Sequence, residues 1–163
     1  MKLTPHFSLR EWTESPTAQE LGIVNFPNAI QLERICWITL FVLERVRDYY
    51  QRLLVITSGF RCPQLNQAVG GMLNSAHLFP SETFLGAVDF QVPGANLRDV
   101  FNFVAFDSHL PYDQMILETG KNRDSAADDC IHYAISSEPR LEALTGMTQG
   151  QGIYTRIYER LNV

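Results

Sequence analysis

Residues 28–61 read NAIQLERICWITLFVLERVRDYYQRLLVITSGFR, and two different periodicities follow one another in this stretch. Leu32, Ile35, Val42, Val46 and Tyr49 recur every three or four positions, and Cys36, Leu40 and Leu43 widen the stripe, which predicts a long, largely buried helix over about 28–51. Leu53 to Thr57 is then apolar and β-branched until Ser58-Gly59 interrupts it, so a short strand is expected to leave Arg61 at its end.

Three further strands are expected downstream, at Gly86–Val92, Asp113–Glu118 and Cys130–Ile135. Pro63–Val69 reads as a short helix closed by Gly70-Gly71, and Leu97–Phe106 as a helix capped by Asn96. Residues 72–85 read as a loop holding Ser75 and His77, and Thr119–Asp129 as a polar loop with Lys121, Arg123, Asp124, Asp128 and Asp129. Residues 1–27 read as an N-terminal flap with one short helix, Ser15 as its cap and Pro16 at its first position. The tail over 137–163 is expected to hold a short helix, a Gly-Gln turn and a last amphipathic segment whose pairs Ile153-Tyr154 and Ile157-Tyr158 pack inward.

A chain of 163 residues predicts one domain with a core of its own. Hydrophobic residues make up 45% and charged residues 19%, a globular balance. Eighteen acidic against 13 basic side chains give a net charge of -5, which argues against nucleic acid or an anionic membrane as partner. The apolar run Ile35–Leu43 is far too short to span a bilayer, and the first residues lack the apolar stretch of a secretory signal. Synthesis in a cytoplasm and a monomeric state are expected. Cys36, Cys62 and Cys130 match neither a disulfide framework nor a zinc knuckle, which points to a reducing compartment.

Among the four histidines, His77 precedes Asp89 by twelve positions and His132 follows Asp129 by three. Two imidazoles and a carboxylate, His77, Asp89 and His132, form a donor set suited to catalytic zinc, with a coordination position left for water. A separate carboxylate is then needed as general base, and Asp129 is the candidate. Side chains three apart on a regular strand point to opposite faces, so Asp129 joins His132 only if the strand starts irregularly; Asp128 and Cys130 have the right parity and stay open as alternatives. Taken singly, each histidine also reads as an ordinary core or surface residue, and His6 and His109 are assigned that way. Asp89 between Val88 and Phe90 is harder to read as filler, since an unpaired carboxylate in a sheet is costly.

The runs Ile56-Thr57-Ser58-Gly59-Phe60-Arg61, Leu65-Asn66-Gln67-Ala68-Val69-Gly70-Gly71, Asn74-Ser75-Ala76-His77-Leu78 and Ala87-Val88-Asp89-Phe90 resemble the zinc D-alanyl-D-alanine carboxypeptidase and endopeptidase family, which includes phage endolysins. His6-Phe7-Ser8-Leu9, Thr17-Ala18 and Tyr112-Asp113-Gln114 with Ile116-Leu117-Glu118 extend the likeness over roughly residues 5 to 136. The resemblance implies an α+β fold of the hedgehog/DD-peptidase type: a small, mainly antiparallel sheet of about four strands carrying zinc on one face, with the 28–51 helix behind it. It implies His77, Asp89 and His132 as zinc ligands, Asp129 as base, Arg61 as the group that binds the substrate carboxylate or polarises the scissile carbonyl, and Ser75 as a substrate contact. The family motif spans seven residues from histidine to aspartate where this chain has twelve, with the extra residues around Phe79 to Phe84.

The expected function is therefore zinc-dependent cleavage of peptidoglycan stem peptides or cross-links, possible in a phage lysis enzyme acting on the cell wall once released. An inactive binding module of the same fold and a cytoplasmic D-Ala-D-Ala dipeptidase are the alternatives. Bland readings stand beside these roles: Arg61 as a surface ion-pair partner, Ser75 as a turn cap, Glu118 as a solvated strand end or a residue orienting a ligand from behind, Cys62 as packing beside the site, and Cys36 and Trp37 as core.

Overall fold

The computed structural model describes residues 1–80, 85–119, 129–147, 154–159 and 161. The polar residues 120–128, the end of the insertion at 81–84 and the Gly-Gln turn with Ile153 lie outside the described residues.

The N-terminal flap holds two short helices rather than one, α1 (Leu9–Thr13) and α2 (Pro16–Leu21). Ser15 Oγ accepts the Ala18 amide with Pro16 at the first position, as its sequence predicts. The long helix starts at a capping box of Asn28 and Gln31 and runs through α3 (Ala29–Ile38), a π-helical turn at Thr39–Leu43 and α4 (Glu44–Tyr50). Thr39 Oγ1 donates to the Ile35 carbonyl at 2.6 Å inside the helix, a bond that competes with the regular ladder where the turn widens. The wider turn changes the buried stripe. Ile35, Ile38, Val42, Leu43 and Val46 are inside, whereas Leu40 and Tyr49, inward by regular spacing, are exposed, and Tyr49 stacks on Phe103.

The sheet has six strands in the order β1-β2-β4-β3-β5-β6: β1 (Val55–Ser58), β2 (Leu85–Gln91), β3 (Gln114–Thr119), β4 (Cys130–Ser136), β5 (Glu142–Met147) and β6 (Thr155–Arg156). All neighbours are antiparallel except β3 and β5, which are parallel. The α+β class therefore holds, and the expectation of about four strands is corrected to six.

Both extra strands come from the tail, where a short helix is expected. Leu141-Glu142-Ala143-Leu144 has good helix formers, yet the free edge of β3 recruits it as a strand, and pairing outweighs local propensity. The turn into β5 is fixed by Asp113, only 3% exposed: Arg140 donates to its carboxylate through Nε and Nη2, the latter at 2.6 Å, and the Arg140 amide donates to it as well. Between β4 and β5, Leu141 takes a positive φ of 52°.

One face of the sheet, through Val88, Phe90, Met115, Leu117, Ile131, Tyr133 and Ile135, joins the buried stripe of the long helix and Val100, Phe101 and Val104 of α6 (Leu97–Asn102) and the π-helical turn Phe103–Asp107 in one core. The opposite face is left for other work. Cys62 is buried and caps α5 (Pro63–Ala68) through its sulfur, while Cys36 and Trp37 are only partly buried. All three cysteines are free thiols. Among the described residues, no helix is long and apolar enough to cross a membrane.

The flap is stitched to the loop after β1. Asn25 Nδ2 donates to the Thr13 and Phe60 carbonyls, its Oδ1 accepts the Cys62 amide, and the Phe60 amide donates to the Trp12 carbonyl at 2.8 Å. Gly59 lies so close to this contact that a Cβ there would stand 2.5 Å from the Trp12 carbonyl oxygen. Gly59→Ala is therefore expected to cost about 2 kcal/mol of stability, as overpacking does, with urea unfolding as the measurement. Burial raises the Asp113 pKa, but hydrogen bonds and charge from Arg140 outweigh it and hold the carboxyl below its usual value. A depressed carboxylate adds stability above its unfolded pKa and loses it as pH falls through the folded value. Arg140→Ala is thus expected to lower stability at pH 7 and to shrink the loss between pH 5 and pH 3, read from unfolding free energies across that range.

Candidate metal centre

The six pairs between β2 and β4 set Asp89 directly opposite His132, and paired residues share a face, so both point away from the core. His77 reaches the same spot from a 3₁₀ turn, Ala76–Leu78, whose cap is Ser75. Asp89 Oδ1 lies 2.7 Å from His132 Nδ1 and 3.3 Å from His77 Nε2, and one ligand atom from each of the three residues falls within 4.8 Å of the others. The twelve-residue step from His77 to Asp89 is absorbed without separating them. Phe79, at the start of the insertion, turns with φ of 50° and is fully buried against Trp12 and Phe60.

Local hydrogen bonds prepare these donors for a cation. His77 Nδ1 lies 2.8 Å from the Gly59 carbonyl; a carbonyl only accepts, so the proton sits on Nδ1 and Nε2 keeps its lone pair for the cluster. Burial pushes the His77 pKa down, which favours the neutral ligand form. Burial also works to raise Asp89, but the two histidines that face it, His77 first, prevail and hold it well below the carboxylate range. His132 is shifted up: burial opposes the cation, and the Asp89 hydrogen bond and charge overcome it. Two imidazole nitrogens and an anionic oxygen converging in a largely buried site suit a divalent metal ion.

Arg61 is brought to the rim. Its Nη2 is 3.6 Å from Asp89 Oδ2, and its Nε and Nη2 donate to Ser58 Oγ at 3.0 and 2.7 Å. Ser58 faces this side because the β1–β2 register slips between Ile56 and Ser58, placing Ser58 across from Asp89. The Arg61 amide donates to the His77 carbonyl, tying the two segments a second time. Ser75 Oγ accepts the His77 amide at 3.3 Å, so Ser75 caps the turn that carries the ligand.

Asp129 is not brought to this cluster. It precedes β4 in step with Ile131, which faces the core, and it lines a cavity of about 480 Å³ with Val92, Pro93, Leu97, Leu117 and Thr119; none of His77, Asp89 or His132 borders that cavity. Strand parity sets it in step with Ile131 rather than with His132. Asp128 lies outside the described residues. Cys130 has the parity of His132 but stands apart from the three ligands, its thiol 3.9 Å from Glu118 Oε2, and burial drives its pKa far up.

Glu118 is a further carboxylate on the face of the sheet that carries the cluster. It pairs with Cys130 on β4, one step diagonal from His132 and on the same face. Burial and then the Asp89 charge raise its pKa, while His132 and Arg61 pull the other way. The hairpin pairing of the two strands is the sequence signal that would have found it. Tyr154, expected to pack inward, is instead part-exposed, and its hydroxyl donates to Glu118 Oε1 at 3.3 Å. Tyr158 is exposed, while Ile157 packs on the core. His6 pairs with Glu44 and His109 is exposed, both away from the cluster.

No curated protein and no solved structure matches the chain. The sequence model of the family described as Peptidase M15 matches residues 5–109, which include Arg61, Ser75, His77 and Asp89. A match over more than half the chain, around a buried His-Asp-His cluster able to hold a metal ion, establishes that this protein belongs to the M15 family of peptidases.

Proposed function

We propose that the protein is a zinc peptidase that hydrolyses peptidoglycan stem peptides or cross-links. The observation that carries this reading is Asp89 Oδ1 bridging His77 and His132 beneath Arg61, with Glu118 beside them on the same face. Two neutral nitrogens and one carboxylate are the donor set zinc favours in catalytic sites. Zinc held there supplies Lewis acidity, which lowers the pKa of a water and polarises a carbonyl.

The chain's own groups do the rest. Glu118 takes the proton from the attacking water and returns it to the leaving amine, and its raised pKa suits a group that must do both near neutral pH. Arg61 offers a planar fork of donors to a terminal carboxylate or to the oxyanion, and Ser58 fixes that fork. Ser75 spends an oxygen lone pair on the His77 amide and keeps its hydroxyl proton to donate to the substrate. The substrate class and zinc rest on the family and on this donor set; action as a monomer and a role in phage lysis extend the same reading.

Elemental mass spectrometry of protein purified without chelator is expected to give about one zinc per chain, lost in both His132→Ala and Asp89→Ala. A zinc-free wild type after zinc is added back would sink the reading. Digestion of a D-Ala-D-Ala-terminated stem peptide and of purified sacculi, followed by mass spectrometry of the products, locates the cut bond; zinc without any hydrolysis would favour a binding module. Glu118→Gln is expected to lower kcat by at least about 10²-fold, the usual share of a general base, while Asp129→Asn stays within a few-fold of wild type.

A further inference from the structure

Glu118 is a half-buried carboxylate with rotatable bonds, and a general base is effective only when one oxygen is held toward the reacting water. Its two oxygens have different partners. The Cys130 thiol, a weak donor, faces Oε2, and the Tyr154 hydroxyl donates to Oε1.

Tyr154 comes from the far side of the sheet, two strands away. Glu118 pairs with Gly146 on β5, and β5 pairs with β6 through Leu144↔Arg156 and Thr145↔Thr155. One more step in that register sets Tyr154 opposite Gly146, so Glu118, Gly146 and Tyr154 form a row across three strands. Gly146 has no side chain, and the phenol reaches Glu118 over that gap. The segment is held in place by several bonds: the Ile157 amide donates to the Ala143 carbonyl at 2.7 Å, Arg156 Nη2 to Glu142 Oε1 at 2.5 Å, and Leu161 exchanges two 2.8 Å bonds with the buried Asn102 side chain.

We infer that Tyr154 is a positioning residue for the hydrolytic reaction: its hydroxyl holds Oε1 of Glu118 and so presents Oε2 as the base, across the gap left by Gly146. The inference rests on the peptidase reading and on Glu118 as base. It assigns a function to β5 and β6, which lie beyond the residues matched by the family.

Tyr154→Phe removes one oxygen and leaves the ring. With the zinc-loaded full-length protein and a D-Ala-D-Ala-terminated stem peptide, it is expected to lower kcat about tenfold or more, the usual size of an outer-shell loss, with KM within twofold and zinc still about one per chain. Gly146→Val, which fills the gap, is expected to give the same loss. In a Glu118→Gln background, Tyr154→Phe is expected to change nothing further. In ¹³C-labelled protein, the Glu118 carboxyl resonance, assigned by its disappearance in Glu118→Gln, is expected to move in Tyr154→Phe with and without zinc.

An active wild type whose kcat survives Tyr154→Phe would overturn the inference alone, as would an unmoved carboxyl resonance or an equal loss in the Glu118→Gln background. A zinc-loaded wild type that cuts no peptide would overturn the peptidase reading and the role of Tyr154 with it.

Discussion

The register between β2 and β4 is the constraint on which the site depends. A shift of one residue would turn Asp89 into the core and put Val88 or Phe90 on the open face, so the apolar alternation that fills the core also fixes where the carboxylate points. Burying Phe90, Ile131 and Tyr133 completely makes any slipped register costly. The chemistry therefore inherits its precision from packing on the opposite side of the sheet.

Around that pair, His77 and Arg61 are aimed by backbone carbonyls and by two short serine side chains. His77 sits on a turn capped by Ser75 and is oriented by the Gly59 carbonyl; Arg61 is tied to the His77 carbonyl through its amide and to Ser58 through its guanidinium. Such preorganisation aims two imidazoles and a carboxylate at one point, and the lowered Asp89 pKa reflects the two histidines gathered around it. A half-buried arginine near the same carboxylate offsets part of its negative charge and remains accessible to an anionic group of a substrate.

Much of this was legible in the sequence. The long helix, the strands β1 to β4, and His77, Asp89, His132 and Arg61 follow from periodicity, strand breakers and the motif, because those signals lie within short stretches of chain. The π-turn at Thr39, the strands β5 and β6 and the positions of Asp129 and Glu118 were not. Strand identity in the tail is settled by the edge of β3 and by the buried Asp113 carboxylate that holds Arg140, both distant in sequence from the residues they organise. For the base, motif spacing favours Asp129, whereas strand parity favours Asp128 or Cys130. Glu118 needed the hairpin register, which places it opposite Cys130.

The contact between Trp12, Gly59 and His77 carries a consequence for the N-terminal flap. The Trp12 carbonyl holds the Phe60 amide, and the neighbouring Gly59 carbonyl orients His77, so α1 and the donor set share one short run of backbone. A cation that binds only the folded protein stabilises it by mass action, by about 2.7 kcal/mol at a hundred times its dissociation constant. A cation held by His77 would thus be joined to the first helix through the Gly59–Phe60 backbone. Occupancy of the centre and order at the chain's beginning are thereby thermodynamically linked, and protection of the flap against proteolysis becomes a gauge of how much ion is bound.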